Sequence, residues 1–230
     1  MTVHSAKIDS HRGETVPTVI SASFIISAIT AFSELHELVL PEFLAQAGHY
    51  QFLTNIALCL STLYFAVNFL YHYTTWPLVY RIKVYLSAVC LSLNFVVSIV
   101  YWSLKFLVPA LIMTKNETIP LFLDIKIHAL PLLATATDYF AYMDRWDLSY
   151  ATGYLFVSIL SGLYWFWLEY LIQDGASYPY PFLNVERNLR IVIFLIVSLI
   201  AFGAFCLGKL LHPQFIPELE KAEEDLKKEE

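Results

Sequence analysis

The amino-acid sequence predicts an all-α, polytopic membrane protein built as a bundle of about six transmembrane helices. Hydrophobic residues make up 58% of its 230 residues and charged residues 15%, whereas soluble proteins carry about 25% charged residues. The mean hydropathy is +0.59. Six stretches also reach the length of about 20 mostly apolar residues that a membrane-spanning helix requires.

The six stretches follow one another along the chain and leave no room for a soluble domain. We place them at residues 16–35, 50–72, 84–108, 119–138, 150–172 and 190–211. The first is the most polar, but its length and the lack of a small-residue cleavage site favour a span over a cleaved signal sequence. Residues 1–15 form an N-terminal segment, residues 16–211 a single transmembrane domain, and residues 212–230 a charged tail.

This composition excludes a soluble enzyme, a disordered chain, a nucleic-acid binder and a disulfide scaffold. The net charge of −6 comes mostly from residues 218–230, which hold seven acids and three lysines. Cys59, Cys90 and Cys206 lie in apolar runs and are interpreted as small buried hydrophobes. We expect no cofactor and no metal, because a single deep histidine cannot supply paired haem ligands and no glycine-rich nucleotide loop is present.

The distribution of Lys and Arg predicts that both termini are cytosolic, with nine such residues on that side and four on the other. The chain ends in Lys227-Lys228-Glu229-Glu230, which matches a dilysine signal that a cytosolic receptor reads to retain proteins in the endoplasmic reticulum. The alternative is a solvated charged tail. Asn116 begins a glycosylation sequon, and we expect it to be unmodified because it directly precedes the fourth span.

The second span carries a narrow polar face. Thr54, Ser61, Asn68 and His72 fall within about 40° of one another on an ideal helix. Such a face must contact protein or a water-filled cavity, because polar side chains are costly in lipid. One interpretation is hydrogen bonding between packed helices, and the other is a functional site.

The fourth span places Asp124 one helical turn before His128, so the carboxylate can reach the imidazole. A carboxylate on one ring nitrogen fixes the tautomer and leaves the other nitrogen free to accept a proton. The alternative is a structural histidine bonded to a backbone carbonyl. Thr135 shares this face, whereas Lys126 points away from it, and we expect its ammonium to reach the membrane interface.

Thr54 and His128 together suggest nucleophilic catalysis. A threonine hydroxyl attacks a carbonyl only when a base accepts its proton, and His128 is that base if the second and fourth spans pack side by side. The predicted span boundaries place the two residues about 6–7 Å apart in depth, a difference that helix tilt can absorb.

Three short segments resemble the androgen-induced protein family of multi-pass membrane proteins. The first is Phe52-Leu53-Thr54 at the start of the second span, and the second is His128 with Asp124 before it and Asp138 after it. The third is Tyr180-Pro181-Phe182-Leu183 before the last span. The resemblance implies a threonine hydrolase that cleaves fatty acid esters of hydroxy fatty acids.

Carried over to this chain, the resemblance implies Thr54 as the nucleophile and His128 as the general base, with an acyl-threonine intermediate. The implied partners are a lipid ester and the surrounding membrane lipids. The chemistry also requires donors for the oxyanion, for which Asn55, Ser61 and Asn68 are the candidates. The role of Asp124 as an orienting group is an inference from its helical spacing alone.

This chain departs from the family pattern at Gln51, which replaces a basic residue, and at Pro131, which lies three residues after His128. Two other functions stay open. One is a non-enzymatic scaffold or lipid-binding protein of the endoplasmic reticulum, in which the polar face only joins helices. The other is a small-solute or proton transporter, which predicts inverted repeats or interrupted helices; the sequence indicates neither.

Overall fold

The computed structural model describes residues 15–112, 119–172 and 177–214, and these residues form an all-α bundle. The helices are α1 (Thr15–Glu37), α2 (Glu42–Ala45), α3 (Leu53–Thr74), α4 (Pro77–Leu107), α5 (Leu121–His128), α6 (Leu130–Tyr142), α7 (Tyr150–Leu171) and α8 (Arg187–Leu211). Five of them, α1, α3, α4, α7 and α8, are long and apolar enough to cross a membrane. The predicted all-α membrane fold is therefore confirmed.

A very short connection joins α3 to α4 and sets their antiparallel register. Thr75 adopts a left-handed conformation with a φ of 52°, and its N–H is bonded to the carbonyl of Tyr71, which ends α3. Trp76 is extended and Pro77 occupies the first turn of α4, a position where its missing N–H has no cost. Midway along the pair, Asn94 Nδ2 donates to Ser61 Oγ at 2.9 Å.

The fourth predicted span is not a single helix, so the prediction of six continuous spans is wrong at this point. The chain there is broken at Ala129 (φ −116°, ψ −49°) into α5 and α6. Pro131 has no N–H to donate to the carbonyl of Ile127, and its ring crowds the preceding turn. The sequence-based expectation that no helix is interrupted is therefore also wrong.

The core lies among α1 and α3 to α6, whereas α7 and α8 pack on one side of it. In the most apolar stretches of α3 and α4, 44% and 50% of residues are buried, against 22% and 17% in α7 and α8. The outward faces of α7 and α8 carry large exposed apolar side chains such as Phe166, Leu195 and Leu199. Such faces are suited to contact with lipid.

Gly153 of α7 packs directly against α8, because a Cβ added there would overlap the ring of Phe205. We expect Gly153→Ala to destabilise the protein by about 1–3 kcal/mol, the usual cost of overpacking. Gly162→Ala is the matched control on the same helix, since no atom lies within 4 Å of its added Cβ. Thermal unfolding in detergent measures both variants, and equal melting temperatures would contradict the expectation.

Candidate active site

A polar face of α4 that the sequence analysis did not consider forms one wall of the site. At 100° per residue its six members fall within an arc of about 60°. They are Lys83, Ser87, Asn94, Ser98, Tyr101 and Lys105. This face meets the predicted polar face of α3 and the broken pair α5 and α6. The same helical-face analysis applied to the third predicted span would have found most of it.

His128 is held from several sides in the bundle interior. Its Nδ1 lies 2.8 Å from Asp124 Oδ1, which confirms the predicted contact across one helical turn. Its ring stacks on Tyr101, with the ring centroids 3.3 Å apart and the planes 2° from parallel. Ser98 Oγ donates to its backbone carbonyl, and only 4% of the residue is exposed. The imidazole is therefore fixed in position.

Asp124 is fully buried and its second carboxylate oxygen accepts a bond from Lys105 Nζ. This ion pair offsets the cost of burying the carboxylate. Since a carboxylate only accepts hydrogen bonds, Nδ1 of a neutral His128 must carry the proton, which leaves Nε2 as an acceptor. Within the residues that the structure describes, Nε2 makes no hydrogen bond.

Thr54 lies at the same level of the bundle as His128. Ser61 of α3 faces Asn94 of α4. Thr54 lies two helical turns before Ser61 on α3. Because α4 runs antiparallel to α3, the residue at the level of Thr54 is Tyr101, two turns after Asn94. The imidazole of His128 is stacked on the ring of Tyr101. Thr54 is 7% exposed. In the described part of the chain its hydroxyl and the imidazole share no hydrogen bond.

The segment Tyr180–Leu183 contacts the first turn of α3. The Tyr180 hydroxyl accepts the N–H of Leu53 at 3.0 Å, and its ring packs edge-on against Phe52 with centroids 6.0 Å apart. Burial raises the pKa of the Tyr180 phenol, and a hydrogen bond with the Thr54 side chain opposes that rise. Two of the segments that carry the family resemblance therefore meet at Thr54, and sequence analysis had assigned no role to Tyr180.

The side chains of the three predicted oxyanion donors are bonded to other protein groups in this structure. Asn55 Nδ2 donates to the carbonyl of His49 at 2.7 Å, and Ser61 is bonded to Asn94. Asn68 Nδ2 donates to Ser21 Oγ at 3.0 Å and lies about 21 Å from Thr54 along α3. Ser61 and Asn68 thus join helices, as the packing interpretation of this face predicted.

A second buried polar cluster surrounds Asp138 at the opposite end of the bundle. Asn68 Nδ2 donates to Asp138 Oδ1 at 3.0 Å, and the Tyr64 hydroxyl donates to Oδ2. Lys83 Nζ lies 3.7 Å from Oδ2. Lys83 directly precedes the third predicted span, which was placed at residues 84–108. The predicted start of that span is too late, because α4 begins at Pro77 and buries Lys83 to 1% exposure.

The remaining predicted residues lie away from His128. Lys126 points away from the imidazole, as predicted, and binds Thr30 and Glu34 of α1. Asn116, Lys227 and Lys228 lie outside the described residues. Within residues 15–112, 119–172 and 177–214, no group of three or more His, Cys, Asp or Glu side chains is arranged to hold a metal ion.

An apolar cavity of about 740 Å³ lies next to this site, between α3, α4, α7 and α8. Its walls include Leu53 and Leu60 of α3 and Tyr180, whereas Thr54 and His128 do not line it. Tyr180 is therefore shared between the cavity wall and the surroundings of Thr54.

Comparison with known proteins gives matches over nearly the whole chain. A family model described as FAR-17a/AIG1-like protein matches residues 15–213. A UPF0641 membrane protein of Saccharomyces cerevisiae is 28% identical over 229 residues, covering 90% of this chain and 96% of the relative. One from Schizosaccharomyces pombe is 28% identical over 173 residues, covering 74% and 78%. No solved structure matches.

Proposed function

Because the chain belongs to the FAR-17a/AIG1-like family of membrane proteins, we propose that it is an intramembrane lipid ester hydrolase. Its proposed substrates are fatty acid esters of hydroxy fatty acids, with Thr54 as the nucleophile and His128 as the base. The observation that carries the proposal is the buried Asp124–His128 pair, stacked on Tyr101 at the level of Thr54. A structural histidine needs no such combination of fixed tautomer, fixed ring plane and unbonded second nitrogen.

The proposed reaction is acyl transfer to water in two steps. His128 Nε2 accepts the Thr54 proton while Thr54 Oγ forms a bond to the ester carbonyl carbon. The carbon–oxygen bond to the alcohol breaks, the imidazolium returns the proton to that oxygen, and the hydroxy fatty acid leaves. A water molecule, deprotonated by His128, then attacks the acyl-threonine, and the second fatty acid is released as the proton returns to Thr54.

The hydroxyl and Nε2 must come within about 3 Å of each other when substrate is bound, as catalytic hydrogen bonds often tighten only in the complex. We expect the two groups to approach each other when the ester binds at the first turn of α3. The Tyr180 hydroxyl and the N-terminal amides of α3, which lie beside Thr54, replace the predicted asparagine and serine donors as the nearest groups able to stabilise an oxyanion.

The test is covalent labelling of the detergent-solubilised protein with a fluorophosphonate, with the adduct located by peptide mass spectrometry. We expect an adduct on Thr54 that is absent from Thr54→Ala and His128→Ala. Thr62→Ala is the matched control, because Thr62 lies on α3 and its hydroxyl is bonded to the carbonyl of Leu58 in its own helix. Absence of an adduct from a folded wild-type protein would overturn the hydrolase proposal.

A lipid-binding protein without catalysis is the second candidate, and the apolar cavity favours it. In that case Ser61 and Asn68 join helices and Thr54 has no chemical role, so Thr54→Ala would leave lipid binding unchanged and no adduct would form.

For location, we propose the endoplasmic reticulum with both termini cytosolic, supported by the bias of Lys and Arg and by Lys227 and Lys228 as a dilysine signal for a cytosolic receptor.

A further inference from the structure

The cavity beside the site is lined mostly by apolar side chains. Its volume of about 740 Å³ falls in the range of about 300–1,000 Å³ typical of ligand pockets. The three serines in its walls are already bonded. Ser92 Oγ donates to the carbonyl of Ala88 at 2.8 Å, and Ser198 Oγ donates to Ser161 Oγ at 2.7 Å. The walls therefore offer an occupant van der Waals contact and few hydrogen bonds.

The two ends of the cavity differ in polarity. At the end formed by the first turn of α3, Tyr164 donates to the carbonyl of Gln51 at 2.8 Å and Trp167 donates to that of Tyr50 at 2.9 Å. Tyr180 lies at the same end. The opposite end is lined by the apolar side chains Ala88, Phe156 and Phe205. An occupant with one polar end and a long apolar remainder matches this arrangement.

The cavity is also long. Its wall on α7 runs from Phe156 to Trp167 and its wall on α8 from Ile193 to Phe205, which correspond to about 16–18 Å of helix. Because a volume of about 740 Å³ is spread over that length, the cavity is narrow in cross-section. Such a shape suits an extended hydrocarbon chain better than a compact ring system.

We infer that this cavity holds the fatty acyl chain of the substrate, with the ester carbonyl at the Tyr180 end and the chain terminus at Phe205. The position of the ester carbonyl in this inference rests on the proposed function, whereas the binding of an acyl chain in the cavity does not. Tyr180 connects the two regions, because it lines the cavity and its hydroxyl bonds the first turn of α3 beside Thr54. The carbonyl carbon of a chain seated there lies next to the nucleophile.

The first arm of the test compares two fluorophosphonates, one with a hexadecyl chain and one with an ethyl group. Val197→Trp on α8 puts an indole into the middle of the cavity, whose wall includes Val197. We expect it to slow labelling by the hexadecyl probe by about tenfold or more, because each methylene excluded from the cavity loses its burial. Labelling by the ethyl probe should stay within about threefold, which also shows that the variant folds.

Val192→Trp is the matched control, since Val192 lies on the same helix with 48% of its surface exposed; both probes should label it at the wild-type rate. Leu160→Trp repeats the obstruction from the α7 wall, in case Val197→Trp does not fold. The assignment of the cavity to the acyl chain would be overturned if Val197→Trp and Leu160→Trp slowed labelling by the two probes equally. It would also be overturned if Val192→Trp slowed labelling by the hexadecyl probe as much as Val197→Trp does.

The second arm needs no catalysis and uses a long-chain fatty acid with a photoreactive diazirine near its methyl end. We expect cross-links to cavity-lining residues of α7 and α8 in the wild type and in Thr54→Ala, and their loss in Val197→Trp. Cross-links confined to other surfaces would overturn the inference. Cavity cross-links in a protein that never forms the Thr54 adduct would support the cavity assignment and refute the hydrolase proposal, so the two failures are distinguishable.

Discussion

Asp124→Asn is expected to lower the turnover of a lipid ester by a factor of about 10³–10⁴, close to the loss expected from removing His128 itself. The carboxylate accepts a hydrogen bond from Nδ1 of His128. An asparagine amide can instead donate to Nδ1, which favours the tautomer with the proton on Nε2, and that tautomer cannot accept the Thr54 proton. Because the residues act as a unit, the double variant with His128→Ala should be little worse than either single variant.

Lys105→Met is the control for this experiment. It removes the cation beside Asp124 but leaves the bond to His128 in place, so turnover should fall much less than in Asp124→Asn. Steady-state kinetics with a purified ester should locate the Asp124→Asn effect in kcat, and thermal unfolding should show that each variant is folded. A loss of less than about tenfold in folded Asp124→Asn would show that this carboxylate does not orient the base.

Asp138→Ala is expected to lower the stability of the folded protein by about 3–5 kcal/mol, the usual cost of breaking a buried ion pair. Asp138 is fully buried and lies 3.7 Å from the ammonium of Lys83, which is also buried. It further accepts bonds from Tyr64 and Asn68. Without the carboxylate, the buried ammonium of Lys83 loses the negative charge that lies 3.7 Å from it.

The double variant Lys83→Met with Asp138→Ala separates this charge effect from the loss of packing. We expect it to recover part of the lost stability, since replacing both members of a buried pair costs less than removing one. Thermal unfolding in one detergent measures all three variants. If the loss of stability in the double variant equalled the sum of the losses in the two single variants, breaking the ion pair would not be the cause of the destabilisation.

Local helical geometry was sufficient to predict one contact of the site. The four-residue spacing of Asp124 and His128 places both groups on one helix face, and their bond follows directly from it. The same geometry predicted the buried face of α3. It did not predict the break at Ala129, because a proline inside an apolar stretch can either bend or interrupt a helix.

The level of Thr54 relative to His128 depends on the register of neighbouring helices, which helical periodicity does not define. The two-residue connection at Thr75 and Trp76 sets that register, and an error of a few residues in the predicted span boundaries is enough to obscure it. The contact of Tyr180 with Leu53 joins residues 127 positions apart. Such a contact depends on how α7 and α8 pack, and no local pattern in the sequence indicates it.

The sparse burial of α7 and α8 has a consequence for how this protein can change over evolutionary time. Their outward side chains need only be apolar, because lipid accepts Leu, Ile, Val and Phe alike. The polar faces of α3 and α4 are different, since several members there, including Ser61, Asn94, Ser98 and Lys105, have specific partners. Sequence drift should therefore concentrate on the last two helices, where residues that line the cavity are free to alter its width and so the length of chain that it accepts.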